Sequence, residues 1–291
     1  MIICIIGRRL DLQYKVSHIE RGIHLVETDQ GLILVQRSSG EKGRFIDILT
    51  AHNTLREVYV RGSQKVTSAN LTVQQFSYAT FSIASRKERY YLDSVQPFHI
   101  FYHLRDSLSR LSLASYFSEL VRFSVQEFHV PKENCQVFRL MLNTLHYLEE
   151  GTRPKNLLKP IFELRLMTEL GMMPDLLICR RCSTYLPESL YFSPRSGYFH
   201  CAACQAADPL PSPILLQRSG LQAMRHIVFA DFHRLFSWNL GEKNLAAVGR
   251  CTEAFVRYHL DLQIPALDFY HQIAAERTAQ EQRGEAQHES I

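Results

Sequence analysis

Cys179-Arg180-Arg181-Cys182 and Cys201-Ala202-Ala203-Cys204 constrain this chain more than any other pattern in it. Two tight CxxC turns, separated by residues 183–200, present four thiolates at the spacing one divalent metal ion requires. A redox dithiol comes as a single CxxC, so two of them in one short segment point to metal. Four thiolates leave no coordination position for water or substrate, and the expected role is therefore structural, one Zn(II) holding a small domain together. Iron suits the same four-sulfur cage, and spacing does not separate the two metals. His200 adjoins Cys201 but reads as a hairpin residue rather than a ligand. Between the pairs, Tyr191-Phe192 and Tyr198-Phe199 read as short strands around Ser193-Pro194-Arg195-Ser196-Gly197. Residues 175–208 are thus expected to form a zinc ribbon, too small to bury a core without its metal. Ribbons bind nucleic acid or protein, or brace a neighbour, so the ribbon leaves function open.

The chain has 291 residues, of which 46% are hydrophobic and 21% charged, enough for two or three domains of ordinary composition. A formal net charge of +4 means that any polyanion must be held by a local patch rather than by a global field. Cys4, Cys135 and Cys251 stand apart from any pairing pattern, which fits a reducing cytoplasm. Met1-Ile2-Ile3-Cys4-Ile5-Ile6 is apolar, but no basic region precedes it and Gly7 ends it, so it is too short for a signal sequence or a membrane span. Residues 1–21 are read as an N-terminal extension, and no membrane partner is expected.

Residues 22–97 carry the alternation of β-structure. Leu32-Ile33-Leu34-Val35 stops at Ser38-Ser39-Gly40-Glu41-Lys42-Gly43; Arg44 to Leu49 and Leu55 to Val60 then alternate around the turn Ala51-His52-Asn53-Thr54. Two more runs, Val73 to Ile83 and Tyr90 to Val95, flank the basic turn Arg86-Lys87-Glu88-Arg89. Five short strands of this kind predict a small closed barrel of the OB type. Between Gly31 and Asn70, Arg37, Lys42, Arg44, Arg56, Arg61 and Lys65 outnumber Glu41, Asp47 and Glu57, and Phe45, Tyr59, Phe76, Tyr78, Tyr90 and Tyr91 lie among or near them. Cations for phosphates and rings for bases are what a single-strand groove needs. Taken one at a time, the same rings read equally as core and the same charges as a solvated face.

Past Pro97 the period becomes helical. Leu104, Leu108, Leu111, Phe117, Leu120 and Val121 recur at three and four residues, as do Val137, Phe138, Met141, Leu142, Leu145 and Leu148 before Gly151. A third helix, 155–170, ends at Gly171, and after the breaker run 209–213 helices are expected at 214–230 and 245–260. The architecture predicted is multidomain α+β: an OB-fold β-barrel, then an α-helical domain over 98–174 and 209–270, interrupted by the four-Cys zinc ribbon. Residues 271–291 are expected to be a flexible tail, either a frayed helix or disordered. There is no GxxxxGK[ST] loop, GxGxxG turn, GxSxG elbow or HExxH helix, so binding rather than catalysis is the better reading.

In this order the elements resemble the RecO family of recombination mediators, from about Ile23 to Tyr270. Three stretches carry the resemblance: Leu34 to Thr50, with its Gly40-Glu41 turn and Leu49-Thr50 ending; the basic strand end Val60-Arg61-Gly62-Ser63-Gln64-Lys65; and, most specifically, Phe162 to Cys179, similar to the segment that leads into that family's zinc site. The turn Ala51-His52-Asn53-Thr54 departs from the pattern in lacking a Gly, and the first twenty residues have no counterpart.

The resemblance implies a non-enzymatic DNA repair and recombination protein, cytoplasmic and nucleoid-associated. It would bind single- and double-stranded DNA, anneal complementary strands and, with RecR, help the RecA recombinase displace single-strand binding protein. Arg37, Lys42, Arg44, Arg61 and Lys65 would neutralise phosphates, with Arg86, Lys87 and Arg89 adding positive charge at the next turn. The helical domain would dock single-strand binding protein. Two other readings stay open on the residues alone: a zinc-ribbon RNA-binding protein, and an adaptor whose barrel is only a scaffold.

Overall fold

A computed structural model describes residues 13–18, 23–39, 43–61, 72–86, 89–127, 136–261 and 263–288. The described chain divides into two compact units, one reaching to Glu149 and resuming at Ile264, the other comprising Glu150–Gln263.

In the first unit β1 (Gln13–His18) and β2 (Ile23–Ser38) form a hairpin, followed by β3 (Gly43–Thr50), β4 (Leu55–Arg61), β5 (Ser77–Arg86) and β6 (Arg89–Ile100). The pairings run β2, β3, β4, β6, β5 and back to β2, with β4 and β6 parallel and the others antiparallel. That ring is the five-stranded barrel of an OB fold, and β1 extends the edge of β2 that β3 also uses. Ile33, Ile46, Ile48, Val58, Val60, Phe81 and Ile83 fill the interior, with Tyr90, Leu92 and Val95 against them.

Closure demands a close approach at Gly31, which pairs with Thr50 on one side and Ala79 on the other; a Cβ there would run into the Ile48 side chain. At the break in register between Ile33 and Val35, the carbonyl of Leu34 accepts from Gln75 Nε2 at 2.9 Å. β5 begins only at Ser77, because Phe76 takes a left-handed conformation (φ 66°) just before it. β6 runs on past Pro97, where the helical period was expected to start. The proline sits at an irregularity, with Ala79 opposite Pro97 and Tyr78 opposite His99.

Among its described residues the unit also holds a 3₁₀ helix, Tyr102–Asp106, and the longer helices α1 (Leu108–Glu127), α2 (Val137–Glu150, at the unit boundary) and α7 (Pro265–His288). Arg122 on α1 reaches Asp47 on β3 at 2.5 Å, and Glu119 accepts from the Ala266 N–H at 3.1 Å, placing a carboxylate at the α7 N-terminus. α7 carries residues 271–288 as helix, where the sequence left a frayed helix or disorder open. The β3–β4 turn manages without glycine because Asn53 adopts φ 55°, and its buried Oδ1 accepts the Phe138 N–H at 2.9 Å. Asn tolerates that backbone better than most residues, and here it also caps α2 from another part of the chain.

The second unit holds α3 (Lys155–Glu169), β7 (Ser189–Ser193), β8 (Tyr198–Cys201), α4 (Ala202–Ala207), β9 (Ile214–Gln217), α5 (Arg218–Phe229) and α6 (Glu242–Leu260). α3 ends in a Schellman turn: Gly171, at φ 81°, donates to Thr168 O, and Met172 to Met167 O at 2.9 Å. Buried Lys159 on α3 sits 2.7 Å from both Glu163 and Glu253, the latter on α6. Residues 214–217, expected to open a helix, instead form β9, the third strand of a β8-β7-β9 sheet. Pairing satisfies the edge of β7 that β8 does not cover, and buries Leu216 opposite Leu190. No described helix is long and apolar enough to cross a membrane.

Candidate metal centre and nucleic-acid face

The ligand atoms of Cys179, Cys182, Cys201 and Cys204 all lie within 4.8 Å of one another. Sulfurs at about 2.3 Å from a tetrahedral Zn(II) would stand about 3.8 Å apart, and Cys182 Sγ and Cys201 Sγ are separated by 3.6 Å. The first pair is presented by a knuckle in which Ser183, at φ 61°, lets its N–H return to Cys179 O at 2.9 Å. The second pair stands at the junction of β8 and α4. The N–H of Cys201 points at Cys179 Sγ at 3.3 Å, the arrangement that stabilises a bound thiolate. His200 is buried and directed elsewhere, its Nδ1 3.1 Å from Asp208 O.

Cys182 and Cys204 titrate in opposite directions. Hydrogen bonds from Thr184 hold Cys182 down at about 6, whereas a hydrogen bond to Cys182, followed by burial, pushes Cys204 up to about 12. Close-packed sulfurs share protons in this way, and a divalent cation displaces all of them.

Arg225, on α5, braces the knuckle and was not singled out from the sequence. Its guanidinium donates to the carbonyls of Leu176, Leu177 and Tyr185 at 2.7, 2.7 and 2.6 Å, and lies 4.3 Å from the Tyr185 ring centroid. Burial lowers the pKa of this guanidinium, with the Tyr185 hydroxyl acting in the other direction. An isolated arginine in an amphipathic helix carries no local signal of such a role.

On the barrel, strand register sorts the aromatic residues. Phe76 and Tyr78 are buried and Tyr90 packs on the interior. Phe45, Tyr59 and Tyr91 are cross-strand partners on the opposite face, out of phase with Ile46 and Val58. Their rings form a half-buried row across β3, β4 and β6, with centroids 5.2 Å apart for Phe45–Tyr59 and 5.8 Å for Tyr59–Tyr91. Gly43 makes room for the row, since a Cβ there would strike the Tyr59 ring.

The basic residues distribute around that row. Arg37 stands opposite Phe45, but its Nη2 donates to Asp47 at 2.7 Å and to Glu57 at 2.6 Å. Arg44 alternates onto the core side of β3 at the end of the barrel, where partial burial lowers its pKa. Arg61 is exposed two residues beyond Tyr59, and the exposed Arg86 and Arg89 face each other across the β5–β6 hairpin, Arg86 lying 6.0 Å from the Tyr91 centroid. Among the described residues Arg61, Arg86 and Arg89 make no ion pair. Lys42, Lys65 and Lys87 lie outside the described residues.

A family model described as "Recombination protein O C terminal" matches residues 105–268, from the end of the barrel unit's strands through the ribbon to the start of α7. Proteins named DNA repair protein RecO are similar over more of the chain. That of Acetivibrio thermocellus is 25% identical over 240 residues, 82% of this chain and 94% of that protein. Those of Alkaliphilus metalliredigens and Bacillus subtilis are each 26% identical, over 238 and 245 residues, covering 81% and 84% of this chain and 94% and 93% of theirs.

Proposed function

The chain belongs to the RecO family, whose members are named as DNA repair and recombination proteins, and on that premise we propose that it is a non-catalytic recombination mediator. In this reading it binds single- and double-stranded DNA on the barrel and anneals complementary strands. With RecR it helps RecA gain DNA covered by single-strand binding protein. The observation that carries the DNA reading is the outward row Phe45–Tyr59–Tyr91 beside Arg61, Arg86 and Arg89.

Rings of this kind stack on any base, because every base has a π-face, while the arginines meet phosphates; binding is then indifferent to sequence, as repair of arbitrary lesions requires. Stacking engages the flat faces of the bases and leaves their pairing edges available to a second strand. That is the physical condition for annealing. The four cysteines would hold one Zn(II), whose contribution is to fix the ribbon's two knuckles against each other. The helical surfaces are left to the protein partners.

The test is annealing of complementary oligonucleotides coated with single-strand binding protein, by the wild type and by Tyr59→Ala/Tyr91→Ala, at two salt concentrations. The expected result is rapid annealing by the wild type and a marked loss in the variant with its metal content unchanged. Failure of the intact wild type to anneal, or equal annealing by the variant, overturns the reading; tighter binding to RNA than to DNA of the same sequence favours an RNA function instead.

A further inference from the structure

A cavity of about 450 Å³ opens in the ribbon unit beside the first metal knuckle, and the mediator reading makes no use of it. Three rings line it, Tyr198 from β8 and Phe255 and His259 from α6, the last two with centroids 4.2 Å apart. A hydrogen bond of 3.0 Å between His259 Nε2 and Pro194 O fixes the imidazole plane. Met172, just past the turn that ends α3, supplies an adaptable apolar side.

At the mouth the Arg180 guanidinium lies 5.8 Å from the Tyr198 centroid and 3.6 Å from Asp175 Oδ2. Nearby, exposed Arg195 lies over exposed Tyr258 at 5.6 Å. Arginine stacked on tyrosine, twice within one surface, presents cations to a phosphate while the rings remain available to a base.

We infer that this cavity is a second nucleic-acid site, taking one nucleotide of a single strand. The base enters against Tyr198, Phe255 and His259, the phosphate meets Arg180, and Asp175 accepts a hydrogen bond from an exocyclic amino group. The carboxylate favours a nucleotide over an acidic peptide, because it is a good acceptor for the amino group of cytosine, adenine or guanine, which an acidic side chain does not offer. A protein that anneals strands gains from a second site, because one strand held on the barrel must meet another. The inference rests on the DNA-binding reading but on none of the barrel's residues.

The probe is an oligo-deoxycytidine carrying 5-iodocytosine, photocrosslinked to full-length, zinc-loaded protein, with the crosslinked peptides mapped by mass spectrometry. Crosslinks are expected at Tyr198 or His259. They should persist in Tyr59→Ala/Tyr91→Ala and fall about tenfold in Met172→Trp, which fills the cavity; zinc content reports that the ribbon is intact in each. Asp175→Asn should weaken the cytosine probe more than an oligo-thymidine, which has no exocyclic amine. Crosslinks only on the barrel, or ribbon crosslinks indifferent to Met172→Trp, overturn the inference and leave the barrel reading standing. Ribbon crosslinks with none on the barrel uphold the inference and remove the barrel reading. An acidic peptide that binds in a manner abolished by Met172→Trp, with no DNA crosslink, overturns it in favour of a protein partner.

Discussion

The barrel and the ribbon are both small β-structures, yet they are held together by opposite means. The barrel closes its own hydrogen-bond ladder around Ile33, Ile46, Val58 and Phe81, and keeps its aromatic row on the outside. The ribbon's two-stranded hairpin buries Leu190, Phe192 and Phe199, and is tied in by four sulfurs, by the Arg225 brace and by β9. In the barrel, therefore, the residues that would meet DNA are separable from those that make the fold. In the ribbon the residues with the most evident chemistry are the fold.

The strongest way to break that contrast is to remove the metal. Cys179→Ser, or chelation, should abolish metal binding and expose the amides of residues 179–204 to hydrogen exchange, leaving those of 43–61 unchanged. Structural zinc in isolated finger peptides is worth about 10–16 kcal/mol, so the effect should be the largest of any single change. Retained protection in the ribbon would mean that Arg225 and β9 suffice without metal.

Arg225→Ala sharpens the same point. It strands the buried carbonyl of Leu176 and releases those of exposed Leu177 and Tyr185, and at roughly 1–3 kcal/mol for an unmet buried group it should lower thermal stability and speed zinc loss, with barrel DNA affinity intact.

On the barrel the expected pattern reverses. Tyr59→Ala should cost about 1–3 kcal/mol in single-strand affinity by fluorescence anisotropy, with little change in melting temperature. A large fall in melting temperature with affinity retained would make the row structural.

Asn53→Ala tests a case in which the barrel also supports a helix. Losing the Phe138 cap should destabilise the unit by about 1 kcal/mol, measured by urea unfolding, and Asn53→Gly, which keeps the backbone conformation accessible, should cost less.

The smallest effect is expected for Arg37→Ala. With Asp47 and Glu57 already matched to its charge, its loss should change the salt dependence of DNA binding less than Arg61→Ala does. Equal slopes for the two would show that the ion pairs open on binding.

The Cys spacing was legible because metal geometry is local: two short turns and a hairpin determine it wherever the segment sits. The ends of α2 and α3 were legible for the same reason, since Gly151 and Gly171 take φ 68° and 81° where the helical period stops. Residues 214–217 were misread as helix because the short apolar run Ile214-Leu215-Leu216 cannot distinguish a helix start from a strand, and only the open edge of β7 decides between them. For residues 271–288 polar composition left a frayed helix or disorder open, and the helix is anchored by apolar Leu267, Tyr270 and Ile273, which are buried in the first turns of α7.

The sequence by itself determined the metal cage, the β-then-α order and the family, each of which rests on neighbouring residues and their periodicity. Tertiary structure alone decided which rings face outward, that Arg37 is bound to two carboxylates, that Arg225 reaches the knuckle and that a cavity lies beside it. Each of these joins residues tens of positions apart, and alternation along a strand says that two faces exist without saying which one the core will take until the barrel has closed.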